Sequence, residues 1–276
     1  MLVAVNLRSP RIAACMIVSL VAYSAYGHEQ VDSEFDESKA LQISQASVGA
    51  TVGDYQFASA DGQNVRLADL DGRPIVINLI YTSCYHTCPM LTSHLSSVAE
   101  IAIEALGADG FLVLTIGFDS AMDTPQRMRQ YATDRDLDLP NWRFLSADTD
   151  TVKSLTRDLG FTYFASPNGF DHTIQTTVLD ADRRVYRQIY GSSFDSPQLV
   201  EPLKDLIFGT RVNASSVSGW INGVRLICTV YDPTSGRYRF DYSLFVAIGV
   251  GLACLGGVAA FIVREWRQNK PFRSAT

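Results

Sequence analysis

Ile75-Val76-Ile77-Asn78-Leu79-Ile80-Tyr81 runs through Thr82-Ser83 into Cys84-Tyr85-His86-Thr87-Cys88-Pro89. The first seven residues are apolar and β-branched with almost no alternation, which predicts a strand buried on both faces of a sheet. From Met90 to Leu106 the apolar residues Leu91, Leu95, Val98, Ala102 and Leu106 recur at a helical period, and Phe111–Ile116 reads as a second buried strand. Strand, helix and strand in that order predict a βαβ unit with a parallel pair. Both cysteines then lie where the central strand passes into its helix, near a helix N-terminus that favours thiolate.

The same alternation extends outward. Upstream, Tyr55-Gln56-Phe57 and Val65-Arg66-Leu67 flank Asp61-Gly62 and predict a hairpin. Downstream, Asp123-Thr124-Pro125 opens a helix running to about Arg135, with a capping side chain ahead of proline. Trp142–Leu145 reads as a strand, Thr149–Leu159 as a helix, Ile174–Leu179 and Val185–Tyr190 as a hairpin about Asp180–Arg183, and Pro197–Phe208 as the last helix. The expectation is one α/β domain over residues 48–210: a mixed central sheet, with an antiparallel edge, flanked by helices.

The ends read differently. Residues 1–27 hold Arg8 and Arg11, no acidic residue, an apolar run Ile12–Ala22 and small residues Ala25 and Gly27, the pattern of a cleaved signal peptide; an uncleaved anchor is the alternative. Residues 28–47 are acidic and polar, and predict a flexible linker. After a polar and aromatic juxtamembrane collar, 211–243, the 20 uncharged residues Leu244–Val263 match the ~30 Å hydrocarbon core of a bilayer and predict a transmembrane helix. The tail 264–276 carries Arg264, Arg267, Lys270 and Arg273, so the positive-inside rule places it in the cytoplasm and residues 28–243 outside. The chain has a formal net charge of −6 although both ends are basic. The body between them is more acidic still, which argues against nucleic acid as a partner.

Of five cysteines, Cys15 lies in the signal and Cys254 in the membrane helix. That leaves Cys84, Cys88 and Cys228, an odd count unsuited to a disulfide scaffold. A bond between Cys84 and Cys88 would close a ring worth only about 2 kcal/mol in the chain-entropy account, so the pair is a poor staple. Metal binding and redox chemistry both fit, and a third ligand separates them. His172, in the loop Gly169-Phe170-Asp171-His172 entering a strand that neighbours the central one, offers it. Two sulfurs and one imidazole form the trigonal donor set that suits copper.

At this point the chain resembles the Sco/SenC family of copper chaperones for cytochrome oxidase, over roughly residues 48–210. The motifs are Cys84-Tyr85-His86-Thr87-Cys88-Pro89, Asp119 with Asp123-Thr124-Pro125, and Asp171-His172. The resemblance implies a thioredoxin-like fold in which Cys84, Cys88 and His172 hold a copper ion, Cu(I) or Cu(II). It also implies delivery of copper to, or reduction of the cysteines of, the binuclear copper site of cytochrome c oxidase subunit II, in a bacterial periplasm at the inner membrane. The chain departs from the common family pattern at Tyr85 and His86, where an acidic residue and proline are frequent, and at Ser120, where proline is frequent.

Other candidates carry less. His86 is a possible fourth ligand set against an exposed side chain; Asp119 an outer-sphere acceptor set against a turn residue; and Met122 and Cys228 are soft donors that packing also explains. His94 reads as structural or solvated, and His28, first residue after the cleavage point, as a terminal chelator or an exposed tail residue. The competing functions are a membrane-anchored thiol-disulfide oxidoreductase or peroxidase, and a redox or copper sensor. Three residues between the cysteines, and Asp171-His172 where thioredoxin-type reductases place a proline, speak against the reductase.

Overall fold

A computed structural model describes residues 35–70, 72–167, 169–211, 229–232, 235 and 237–268. The expected signal peptide, His28, Cys228 and the end of the C-terminal tail lie outside the described residues. The chain divides at Phe35/Asp36 into two compact units, and the second, which begins at Asp36, holds the sheet.

Its centre is a seven-stranded sheet in the order β2-β1-β5-β4-β3-β8-β9. The strands are β1 (Gln56–Ser59), β2 (Asn64–Arg66), β3 (Ile75–Ile80), β4 (Leu112–Gly117), β5 (Trp142–Ser146), β8 (Gln175–Leu179) and β9 (Val185–Tyr190). All residues of β3 and β4 are buried. β3 lies parallel to β4 on one side and antiparallel to β8 on the other, so both of its backbone edges are paired. The mixed sheet therefore forms as expected, with β4 and β5 also parallel and the hairpins β1–β2 and β8–β9 at its margins.

Helix α2 (Thr87–Leu106) buries Leu91, Leu95, Val98, Ala102 and Leu106, the same stripe that its periodicity predicted. Asn78 of β3 donates to Thr92 at 3.2 Å, tying the sheet to this helix. Helices α3 (Pro125–Thr133), α4 (Thr149–Asp158) and α5 (Ser196–Arg211) complete the flanking layers. The cap of α3 is Thr124, whose hydroxyl accepts the Arg127 N–H.

Two expectations change, and the collar gains structure. Within the stretch 28–47, read as a flexible linker, residues Glu37–Ala46 form helix α1, capped by Asp36, whose carboxylate accepts the Lys39 N–H. Its buried positions are the small residues Ala40 and Ser44, and it docks where Gly160 has φ +63°; a Cβ there would sit 2.8 Å from the Ile43 carbonyl. The contact is made by the absence of side chains rather than by large apolar groups, so composition underrated it. His172 does not lie in a loop: β6 (Tyr163–Ser166) and β7 (Gly169–His172) form a separate two-stranded hairpin. Part of the collar 211–243 is also a hairpin, β10 (Thr229–Asp232) with β11 (Arg237–Phe240), in which buried Tyr238 donates to Glu201 at 2.9 Å.

Helix α6 (Ser243–Gln268) includes the expected span 244–263. Its segment Phe245–Gln268 contains an 18-residue stretch of mean hydropathy 2.5, none of it buried, and is long and apolar enough to cross a membrane.

Candidate metal centre

The two cysteines sit at the C-terminal end of β3, where the chain turns before α2. The Cys84 N–H donates to the Tyr81 carbonyl at 3.1 Å, which closes that turn. Cys84 is 7% exposed and Cys88 2%, and both are free thiols. The N-cap of α2 is His86, with φ −131° and ψ −72° and no capping hydrogen bond from its side chain. A helix start leaves several N–H groups without partners. Here the Cys88 N–H donates to the Cys84 sulfur at 3.3 Å, so sulfur occupies the place usually taken by a capping oxygen.

That arrangement makes the two thiols unequal. The Cys88 side chain beside Cys84, opposed by burial and helped by the Cys88 and His86 backbone N–H groups and by Tyr81, brings the Cys84 thiol down to about 4. Cys88 moves the opposite way, far above the ordinary thiol range, first because its S–H serves Cys84 and then because it is buried, with the Asp123 charge adding to the shift. The pair is thus a thiolate at Cys84 receiving a proton-bearing neighbour, Cys88.

Asp123 is the residue that sequence reading undervalued. In sequence it reads as part of a helix start, yet it is 1% exposed and its carboxylate accepts three hydrogen bonds. Thr82 gives its N–H at 2.8 Å and its hydroxyl at 2.7 Å, and Asp119 gives its N–H at 2.9 Å. These bonds fasten the loop after β4 to the loop that carries the cysteines. Burial raises the Asp123 carboxyl above its ordinary value, against the lowering effect of the same three donors. Gly117 permits the approach, because a Cβ there would overlap the Asp123 Cβ. Asp119 itself is in a turn, its carbonyl accepting the Met122 and Asp123 N–H groups.

His172 ends β7, opposite Tyr163. Its Nδ1 lies 3.0 Å from the Thr173 carbonyl, so the proton on Nδ1 is the donor and the lone pair of Nε2 is left for other use. The ring stands edge-on to Tyr81 at 5.9 Å between centroids, and 5.6 Å from both Phe118 and Phe161. Tyr81 in turn adjoins Cys84. The fold therefore brings Cys84 and Cys88 together and sets His172 one aromatic ring away. No three His, Cys, Asp or Glu side chains close into a single coordination set among the described residues.

The remaining candidates separate cleanly. His86 is exposed at the helix start, and Met122 is exposed in the loop after β4. His94 is structural, its Nε2 lying 2.7 Å from the Phe194 carbonyl and 3.0 Å from the Phe194 N–H, with its ring edge-on to Phe194. As a donor set, a thiolate, a thiol that loses its proton on binding and an imidazole lone pair fit a soft, low-coordinate metal ion.

Comparison with known proteins agrees with this chemistry. A family model described as SCO1/SenC matches residues 44–207. The SCO1 protein homolog of Bacillus subtilis (strain 168) is 31% identical over 94 residues, which are 33% of this chain and 47% of that protein. The matched region thus spans about half the length of this curated relative. A solved structure from Aquifex aeolicus VF5 aligns with a TM-score of 0.54 and 28% identity, covering 59% of this chain and 95% of the other. The structure of Bradyrhizobium japonicum ScoI with copper bound aligns with a TM-score of 0.50 and 23% identity, over 57% of this chain and 99% of that one, and shares the thioredoxin-like fold.

Proposed function

The chain belongs to the SCO1/SenC family, and from that premise we propose that it is a copper metallochaperone that holds Cu(I) or Cu(II) through Cys84, Cys88 and His172. Its role in this reading is to assist assembly of the binuclear copper site of cytochrome c oxidase subunit II, or of a similar copper acceptor. The observation that carries the proposal is the cysteine pair at the start of α2, where the Cys84 sulfur accepts the Cys88 N–H at 3.3 Å, with the Nε2 lone pair of His172 on the adjoining hairpin. Copper displaces the Cys88 proton as it binds, and the hairpin β6–β7 brings the imidazole to the ion. Helix α6 is the single-pass anchor in the inner membrane, with the folded domain in the periplasm and the basic tail in the cytoplasm. Anchoring raises the effective concentration of the carrier beside a membrane-bound acceptor.

The test uses the full chain in detergent. One Cu(I) per chain is expected by competition with a chromophoric chelator, and thiolate-to-Cu(II) charge-transfer absorption in the Cu(II) form. His172→Ala should weaken binding by at least tenfold; equal affinity in that variant refutes the ligand set.

The unequal thiols also favour a second reading, a thiol-disulfide oxidoreductase in which the Cys84 thiolate attacks a substrate disulfide and Cys88 resolves the mixed disulfide. Rapid disulfide reduction without copper, undiminished by His172→Ala, would select it over the carrier.

A further inference from the structure

We propose that Tyr81 is a positioning residue that seats the hairpin β6–β7, and with it His172, against Cys84. The inference deepens the copper reading above and rests on it for the role of His172. Tyr81 follows directly on β3 and is 7% exposed, so its own place is set by the centre of the sheet. Its ring meets Phe118 at 5.4 Å between centroids, Phe170 edge-on at 5.2 Å and His172 edge-on at 5.9 Å. Phe170 and His172 both belong to β7, so one ring bears on two residues of the same short strand.

The hydroxyl adds what a plain ring lacks. It lies against the backbone of Gly169, at the start of β7: a Cβ built there would be 2.9 Å from the Tyr81 oxygen and 3.0 Å from its Cε2. Gly169 also has φ +119°, a conformation that other residues rarely adopt, so glycine is needed twice over. The same oxygen faces the Cys84 sulfur on one side and the Phe170 N–H on the other. Tyr81 thus joins the metal-binding sulfur to the backbone of the strand that ends in the third ligand. β6–β7 is a sheet of its own, outside the seven-stranded sheet. An isolated two-stranded hairpin has little stability of its own, so a seat of this kind decides where its last residue rests.

The decisive experiment compares Tyr81→Phe with the parent full chain in detergent, because phenylalanine keeps the ring and removes only the hydroxyl. In the copper-free protein, amide hydrogen exchange at Phe170 should become about tenfold faster, with β3 and β4 unchanged, as expected when the hydroxyl no longer packs against the start of β7. In the Cu(II)-loaded protein the thiolate charge-transfer band should move to lower energy, because a hydroxyl dipole facing the sulfur stabilises its lone pairs; a purely structural ring would leave the band in place. Parental exchange at Phe170 overturns the proposal. Gly169→Ala approaches the same contact from the other side. It should also speed exchange in the hairpin, and adding Tyr81→Phe should relieve part of that effect by making room for the methyl group. Strictly additive effects in the double variant would show that backbone strain alone is at work, and overturn the seat. If the chain binds no copper at all, the metallochaperone reading fails, while exchange at Phe170 in the copper-free protein still decides the role of Tyr81.

Discussion

Raising the pH from 5 to 8 while following alkylation of Cys84 by iodoacetamide tests the asymmetry of the thiol pair. With its thiol at about 4, Cys84 is almost wholly thiolate across this range. An ordinary cysteine near 8.5 is ~0.3% thiolate at pH 6, so Cys84 has a ~300-fold advantage in reactive form there. Lower basicity also makes a poorer nucleophile, and with a Brønsted coefficient of about 0.4–0.5 the drop of ~4.5 units reduces intrinsic reactivity ~100-fold. The two effects leave a net gain of only about threefold at pH 6, too small to be diagnostic. The shape of the profile is what discriminates. The Cys84 rate should be flat from pH 5 to 8, whereas an ordinary thiol accelerates several hundredfold over the same interval. Site-resolved mass spectrometry of the full chain in detergent separates Cys84 from the other cysteines, and Cys88 should stay unmodified throughout, since its thiol is pushed up and buried. Cys88→Ala removes the first cause of the shift, so the Cys84 profile should then begin to rise with pH. A parental rate climbing about tenfold per pH unit would refute the assignment of a thiolate at Cys84.

Two predictions concern the framework around the site. Asp123→Ala leaves the Thr82 N–H, the Thr82 hydroxyl and the Asp119 N–H without their acceptor and should cost about 3 kcal/mol in urea unfolding, with Asp123→Asn costing less; equal midpoints in all three proteins would mean that the bonds do not fasten the loops. Gly160→Ala forces a Cβ to within 2.8 Å of the Ile43 carbonyl at φ +63°, and should cost about 1–3 kcal/mol while exposing α1 to limited proteolysis; an unchanged cleavage pattern would show that α1 is not held there.

The parts of the fold legible in the sequence are those carried by large apolar side chains at a regular period. Ile75–Ile80 and Leu112–Gly117 form buried strands because nearly every position is apolar, and Leu91, Leu95 and Val98 reappear as the buried stripe of α2. What escaped depends on small or polar groups meeting across long separations. α1 buries only Ala40 and Ser44 and sets the backbone of Ile43 and Ser44 against Gly160, where close approach needs missing atoms rather than present ones. Asp123 looks like any residue at a helix start until Thr82, 41 residues earlier, is seen to give it two hydrogen bonds. The hairpin carrying His172 is four residues a side, too short to rise above local propensity.

The cysteine pair and the vacant helix cap are one arrangement. A Ser, Thr, Asp or Asn side chain at the N-cap of α2 would take an N–H of the first turn for itself. His86 stands there without such a bond, and the Cys88 N–H is left to the Cys84 sulfur. The same geometry sets the direction of the proton between the two thiols: Cys84, which takes the Cys88 side chain and the Cys88 and His86 backbone N–H groups, becomes the anion, and Cys88, deeper and beside Asp123, keeps the proton. A sulfur of lowered basicity is the weaker donor and leaves faster in exchange. On the copper reading, Cys84 is therefore the ligand already deprotonated when the ion arrives and the one that gives it up most readily, and Cys88, which binds only by losing its proton, makes retention of the ion depend on pH.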